Sequence, residues 1–281
     1  MEQQLQQTRD QQRESWNKFS PGWKKWDELF MDFLKPVGNE IIRLIHSKKN
    51  QLVLDVASGT GEPGLTIASM LDSGKVVITD LAEDMLGIAR ENAMQRGIKN
   101  YETFACDVSD LPFADNTFDA ISCRFGFMFF PDMLLAAKEM VRVLKPGGKI
   151  ATSVWNVPEK NFWITAIMDA INKNMELPAP VPGVPGMFRC AEDGFMADLF
   201  SEAGLKNILV KEVRGKLNCE TAQVYWDVMT EVAAPVVASL SNADSATKDK
   251  IKRRVFQAVN QRYRGGNIMI DSSALVISGE K

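Results

Sequence analysis

The stretch Gln51–Leu65, QLVLDVASGTGEPGL, constrains the fold of this chain more than any other. A continuous apolar run that leads into a glycine-rich turn is typical of a parallel strand buried on both faces and followed by a helix. Asp55 interrupts the run near its carboxyl end, where a buried carboxylate needs a partner. Gly59 and Gly61 permit a sharp turn and the close approach of a ligand to the backbone. The stretch therefore predicts an α/β fold with a ligand site at this turn.

The same turn satisfies the pattern GxGxxG, so a nicotinamide or flavin enzyme is one interpretation. A pyrophosphate binds at a helix amino terminus because backbone N–H groups favour an anion. Acidic side chains at Asp55 and Glu62 would repel that anion and would favour a ligand with an ammonium group and a sulfonium, which is S-adenosylmethionine (SAM). Glu62 also suits the first turn of a helix, and the sequence does not separate that role from ligand contact.

An acidic residue at a strand end followed by GxG resembles the first motif of the class I SAM-dependent methyltransferases. The sequence departs from the commonest form of that motif at Ala57 and Ser58, where many members carry Gly-Cys or Gly-Ser. The phrases SGTGEPGL and LPFADNTFDAI resemble the quinone-biosynthesis methyltransferases and their relatives. The resemblance implies a Rossmann-like, seven-stranded, mostly parallel sheet with an antiparallel last strand. It also implies that Asp55 and the loop backbone at Ala57, Gly59 and Gly61 hold the amino-acid end of SAM.

Asp80 is the strongest candidate for a nucleoside contact. It ends the apolar run 75–79, about 20 residues after the glycine turn, where a carboxylate accepts hydrogen bonds from ribose hydroxyls in dinucleotide and SAM folds alike. Its structural alternative is the N-cap of a helix predicted over 82–95.

The resemblance implies further contacts with the adenosine. Leu81 and Met85 match positions beside it, Asp107 matches a residue that accepts a hydrogen bond from the adenine amino group, and the backbone N–H of Val108 reaches a ring nitrogen.

The segment after the predicted strand 120–123 lies at the carboxyl edge of the sheet, where ligands of open α/β folds bind. In the functional interpretation Cys123 and Arg124 contact the methionine end of SAM, and Phe125 and Phe129 belong to a wall of the acceptor pocket. A hydrophobic plug between helices explains most of these phenylalanines equally well.

Aromatic residues recur at helical spacing near the amino terminus, at Trp16, Phe19, Trp23 and Trp26. Such a stripe is typical of packing. Related methyltransferases often fold an amino-terminal helical arm over the cofactor, so a lid formed by Trp16, Phe19 and Trp23 is the competing hypothesis. The pair Ser20-Pro21 predicts the start of a second helix.

Patterns after residue 155 predict helical and loop additions on the substrate side. They comprise a helix over 160–175, a proline- and glycine-rich loop over 177–187, a helix over 191–203, a strand over 208–213, two helical patterns within 220–264, and a last strand over 267–278. The second pattern in 220–264 is basic, and such runs are usually a solvated helix face.

Composition places the chain among globular proteins, with 281 residues, 45% hydrophobic and 25% charged residues, and a net charge of −3. We expect one domain, 1–281, made of an amino-terminal arm (1–46), a SAM-binding core (47–155) and additions (156–205 and 217–266). This charge gives no strong attraction to nucleic acid or membrane phosphates, and the absence of a long apolar run predicts no membrane insertion. A start without the apolar core of a signal peptide leads us to expect the cytoplasm.

The widely spaced Cys106, Cys123, Cys190 and Cys219 and the single His46 argue against a disulfide framework or a metal site. The sequence therefore predicts a SAM-dependent methyltransferase that acts on a small, apolar or aromatic acceptor, such as a quinone precursor or phenol. It names no catalytic base. The rival interpretations are an NAD(P)-dependent oxidoreductase and a non-catalytic SAM-fold binding protein.

Overall fold

The computed structural model describes residues 2–45, 49–177, 184–265 and 267–281, and within these ranges seven strands form one sheet. In chain order the strands are β1 (Leu52–Val56), β2 (Lys75–Asp80), β3 (Tyr101–Ala105), β4 (Phe118–Arg124), β5 (Leu144–Trp155), β6 (Lys206–Glu220) and β7 (Ile268–Glu280). Their order across the sheet is β3-β2-β1-β4-β5-β7-β6. Strands β1 to β5 are parallel to one another, whereas β7 pairs antiparallel with both β5 and β6. The predicted Rossmann-like sheet is confirmed.

Burial explains why the first strand forms at the centre of the sheet. Val53 and Leu54 are fully buried, and β1 is covered on both sides by β2 and β4. The chain leaves β1 for β2 on one side and reaches β4 on the other, so the strand order reverses between β1 and β4. Open α/β sheets bind ligands at the carboxyl ends of the strands that flank such a reversal.

Ten α-helices occur in the same ranges. They are α1 (Glu2–Lys25), α2 (Asp27–Ile45), α3 (Gly64–Met70), α4 (Glu83–Gln95), α5 (Met133–Val143), α6 (Phe162–Asn172), α7 (Phe195–Glu202), α8 (Ala222–Val232), α9 (Ala234–Ser241) and α10 (Ser245–Arg262). Helix α2 packs on β4 to β7, and α1 packs across α4 and α8. His46 and the loop centre 178–183 lie outside the described residues.

The predicted start of a second helix at Ser20-Pro21 is wrong. Helix α1 continues through Pro21 to Lys25. Proline cannot donate a backbone hydrogen bond to the carbonyl of Asn17. The Ser20 hydroxyl donates to that carbonyl instead, over 2.8 Å, so the helix passes the proline with this acceptor satisfied.

Other boundaries also differ from the sequence patterns. The strand predicted over 208–213 is part of the longer β6, because its pairing with β7 continues to Glu220. The helix that follows the glycine turn begins at Gly64, and the helix predicted over 191–203 begins at Phe195. The two helical patterns predicted within 220–264 form three helices, α8 to α10.

Candidate functional site

The turn after β1 is built from backbone conformations that glycine favours. Ala57, Gly59 and Gly61 have φ values of 52°, 56° and 107°. Ala57 therefore occupies a left-handed conformation at the position where many class I methyltransferases carry glycine. The turn lies against β2, since the Ser58 N–H donates to the Thr79 carbonyl over 3.0 Å. A Cβ on Gly61 would lie 2.8 Å from Leu65, so that glycine allows close packing.

Asp55 is fully buried beneath this turn. Its carboxylate accepts hydrogen bonds from the Ser122 hydroxyl (2.5 Å) and the Gly64 N–H (2.9 Å), which ties β1 to β4 and to the start of α3. Burial raises its pKa to about 7, against the lowering effect of those two hydrogen bonds. Asp55 does not line the cavity described below, so its geometry is that of a residue that positions the turn.

Asp80, at the end of β2, holds the other side of the turn. One carboxylate oxygen accepts from the Gly59 N–H over 2.8 Å and the other from the Ala82 N–H over 2.9 Å. Burial raises the pKa of Asp80, and the backbone N–H groups oppose this effect. A carboxylate offers about four acceptor positions, so both oxygens retain capacity for further donors. Leu81 and Met85 lie beside Asp80 along the same cavity.

A cavity of about 200 Å³ opens over these strand ends. The predicted site residues that line it are Ala57, Gly59, Asp80, Leu81, Met85, Asp107, Val108, Arg124, Trp16, Trp23, Phe125 and Phe129. Those that do not are Asp55, Gly61, Cys123 and Phe19. Cys123 is buried, and burial raises the pKa of its thiol to about 12, so the thiol is neutral.

One face of α1 forms a wall of the cavity. It carries Arg9, Gln12, Trp16 and Trp23, at helical spacings of three, four and seven residues. The sequence analysis did not identify Arg9 and Gln12 as site residues, although they continue the helical spacing of Trp16 and Trp23 towards the amino terminus. The Trp16 ring contacts the Phe129 ring edge-on, with centroids 5.2 Å apart.

Asp107 lies opposite the polar half of that face. Its carboxylate forms an ion pair with the Arg9 Nε over 2.7 Å and accepts a hydrogen bond from the Ser109 N–H over 2.8 Å. The next residue, Val108, is buried and also lines the cavity. This end of the cavity therefore contains the carboxylates of Asp80 and Asp107.

The other end of the cavity is aromatic. Phe125 has a φ of 61°, an uncommon conformation for a bulky residue, and its ring stacks on Trp155 with centroids 4.1 Å apart. The Trp155 ring in turn contacts the Trp163 ring at 4.8 Å. Further residues of this end, which the sequence analysis did not single out, are Phe30, Met31, Leu34, Met128, Phe130, Met187 and Val232 to Pro235. Trp23 Nε1 is buried without a hydrogen-bond partner in the described structure.

Arg124 lies where the two ends meet. Its guanidinium contacts the thioether sulfur of Met31 at 3.3 Å and forms no ion pair with a carboxylate in the described ranges. Burial lowers the pKa of Arg124, while the nearby charges of Glu62, Asp55 and Asp27 oppose that shift. A half-buried guanidinium without an ion pair is costly, and an anionic ligand group would relieve that cost.

Glu62 does not offer a free negative charge to the cavity. Its carboxylate forms an ion pair with Arg96 and accepts a hydrogen bond from the Thr66 N–H at 3.3 Å. The described residues contain no group of three or more His, Cys, Asp or Glu side chains that could hold a metal ion. No described helix has the length and apolar character needed to span a bilayer.

Comparisons with known proteins identify the relatives of this chain. The model of the ubiE/COQ5 methyltransferase family matches residues 34–167. The ubiquinone/menaquinone biosynthesis C-methyltransferase UbiE of Cellvibrio japonicus is 42% identical over 112 residues, which are 39% of this chain and only 45% of that protein. The demethylmenaquinone methyltransferase of Listeria monocytogenes is 32% identical over 185 residues, covering 60% of this chain and 76% of the relative. The crystal structure of YcgJ from Bacillus subtilis shares the fold, with a TM-score of 0.57, 20% identity, and coverage of 87% of this chain and 97% of YcgJ.

Proposed function

Because this chain belongs to the ubiE/COQ5 methyltransferase family, we propose that it transfers the methyl group of SAM to a small, apolar acceptor that carries an aromatic or quinone-precursor ring. The observation that carries this proposal is the division of one cavity into a polar end with two carboxylates and an aromatic end. The polar end suits a nucleoside, and the aromatic end suits a flat apolar ring.

The residues of the polar end fit SAM. Asp80 retains acceptor capacity for the ribose hydroxyls, and Asp107 and Val108 line the same end, where the side chain of the first and the backbone N–H of the second would contact adenine. The guanidinium of Arg124 offers donors to the carboxylate of the methionine moiety, which would give this cation the partner it lacks. SAM supplies an electrophilic methyl group on a positively charged sulfur.

The family relationship, rather than local charge, favours this cofactor over a nicotinamide dinucleotide. The sequence argument relied on Asp55 and Glu62 to repel a pyrophosphate. Asp55 lies outside the cavity, and Arg96 pairs with Glu62, so the repulsion from these two side chains is smaller than their sequence positions suggest. Both cofactors therefore belong in the binding experiment.

The chemistry of the aromatic end limits the acceptor. Among the described residues, the titratable side chains that line the cavity belong to the polar end or to the junction; they are Arg9, Glu62, Asp80, Cys106, Asp107 and Arg124. The acceptor therefore reacts in a form that needs no proton removed by the aromatic wall, such as a phenolate or enolate that has already lost its proton. In this proposal Trp23 Nε1, which is buried without a hydrogen-bond partner in the described structure, donates a hydrogen bond to an oxygen on the acceptor ring.

Catalysis by this chain consists mainly of alignment. Methyl transfer is an in-line displacement, and holding the nucleophile and the methyl carbon at the correct distance and angle supplies much of the acceleration. Two ring pairs fix the plane of the acceptor and exclude water from the reacting atoms. They are the stacked rings of Phe125 and Trp155 and the edge-on rings of Trp16 and Phe129.

Isothermal titration with SAM, S-adenosylhomocysteine and NADH tests the cofactor, and an acceptor screen read by S-adenosylhomocysteine release tests the reaction. We expect micromolar binding of the first two ligands and turnover with oxygen-bearing aromatic acceptors. Binding of NADH alone would reject the proposal, while SAM binding without turnover on any acceptor would favour a binding protein. The cytoplasmic location and the absence of nucleic-acid binding stay predictions.

A further inference from the structure

Helix α10 concentrates positive charge on a chain that is negative overall. The helix carries six Lys or Arg residues and one Asp, a net charge of +5, whereas the whole chain has a net charge of −3. Its buried side is apolar, with Ile251, Val255 and Val259. The chain average therefore conceals a strongly basic amphipathic helix.

Three neighbouring cations of α10 are exposed and available for a partner. Lys250, Arg253 and Arg254 are exposed and recur at spacings of three and four, so they share one face of the helix. None of them forms an ion pair with a carboxylate in the described part of the chain, although Lys250 lies close enough to the N-cap residue Asp244 to help lower its pKa.

Half-buried aromatic rings contact two other cations of the same helix. The Lys252 ammonium lies 5.9 Å from the Trp226 ring and 5.4 Å from the Phe256 ring. The Arg262 guanidinium lies 4.3 Å from the Phe162 ring. Cations close to Trp and Phe rings match the composition of protein surfaces that lie in the headgroup region of a bilayer.

The same layer of helices forms part of the cavity. Helix α8 carries Trp226 towards α10 and ends at Val232, which lines the aromatic end together with the start of α9. These helices follow residue 167, where the match to the family model ends. The helices α8 to α10 thus contribute both the cationic surface and part of the aromatic end of the cavity.

We propose that this surface, formed by Lys250, Arg253 and Arg254 with the Trp226 and Phe256 rings, docks on an anionic lipid bilayer. The cations contact headgroup phosphates, and the aromatic rings reach the interface, without any helix crossing the membrane. Docking rests on α10 and does not depend on the proposed methyl transfer. Where that function holds, docking brings the cavity to the bilayer, the phase in which an apolar acceptor dissolves.

Vesicle sedimentation of the full chain tests the docking. The protein should co-sediment with vesicles that contain roughly one-third phosphatidylglycerol in phosphatidylcholine and stay in the supernatant with phosphatidylcholine alone. Binding should weaken steeply as sodium chloride is raised, because salt screens exposed charges.

A charge-reversal variant locates the surface. Each basic residue near an anionic bilayer contributes about five-fold in affinity, so Lys250→Glu, Arg253→Glu and Arg254→Glu together should weaken vesicle binding by on the order of 100-fold. Reversal of the exposed Lys99, Lys138 and Lys206, on other elements, changes the net charge equally and should cost much less.

Circular dichroism of both variants establishes that they are folded, and SAM titration of both reports the cofactor site independently of docking. Equal loss of vesicle binding in the two variants would overturn the proposal, since net charge alone would then explain it. Tight binding of a DNA or RNA duplex by the wild type, with no vesicle binding, would also overturn it and assign the surface to nucleic acid. A wild-type protein that docks on vesicles but does not bind SAM would reject the proposed function and leave the docking proposal intact.

Discussion

Replacing Asp55 by Asn removes a buried negative charge and preserves most of its shape. The carboxylate is fully buried and is held by the Ser122 hydroxyl and the Gly64 N–H. Asparagine can accept from the Gly64 N–H and donate to the Ser122 oxygen, so both contacts survive. The substitution therefore tests the charge of Asp55 rather than its packing.

The pKa of Asp55 determines the sign and the size of the change in the free energy of unfolding with pH. Burial raises the pKa from 3.8 to about 7 in the folded protein. Between these values the folded state holds a proton that the unfolded state has lost, so the free energy of unfolding falls as the pH rises through this window. At about 1.4 kcal/mol for each pH unit, the loss amounts to roughly 4 kcal/mol and is complete above the folded pKa.

Urea unfolding of wild type and Asp55→Asn from about pH 4 to about pH 8 measures this loss. The two proteins should be equally stable near the lower limit, and the variant should be more stable by roughly 4 kcal/mol near the upper limit. A difference in stability that does not change with pH would refute the raised pKa. A variant that gains no stability but loses SAM affinity would instead place Asp55 in contact with the cofactor, as the sequence motif implies.

Three further substitutions test the ligand contacts. Asp80→Ala should weaken SAM binding by about 1–3 kcal/mol in calorimetry, because buried donors lose their partner, and unchanged affinity would exclude the ribose contact. Trp16→Ala should raise the KM of the acceptor by about 2- to 10-fold through loss of its ring contact with Phe129, while Phe19→Ala, outside the cavity, should leave it unchanged. Arg124→Met should lower SAM affinity by about 1.5–3 kcal/mol and should not affect decarboxylated SAM; equal losses for both ligands would reject the contact with the carboxylate.

The central sheet and its glycine turn were predictable because their signals are local. Fully buried parallel strands need continuous apolar runs, and the run before Asp55 leaves few alternatives. Helix boundaries were less predictable. Proline normally marks a helix start, but at Pro21 the hydroxyl of the preceding Ser20 satisfies the orphaned carbonyl, and a pattern search does not weigh that contact.

The site was only partly predictable because side-chain directions depend on distant partners. Asp55 turns away from the cavity towards Ser122, which is 67 residues further along the chain. Arg9 reaches Asp107 across an even larger separation, and no spacing in the sequence connects them. The residues that did line the cavity, such as Asp80, follow strand ends, whose position in parallel sheets is fixed by topology.

Helix α1 lines both the cofactor end and the acceptor end of the cavity. Arg9 engages Asp107 at the adenine end, and Trp23 lies on the same helical face about 21 Å further along, at the aromatic end. Because one helix lines both ends, we infer that the entry or release of either ligand requires a shift of the same helix, so that the first ligand to bind affects access for the second. We therefore expect the exchange of cofactor and acceptor to follow a fixed order, so that S-adenosylhomocysteine leaves only after the methylated product has released the helix.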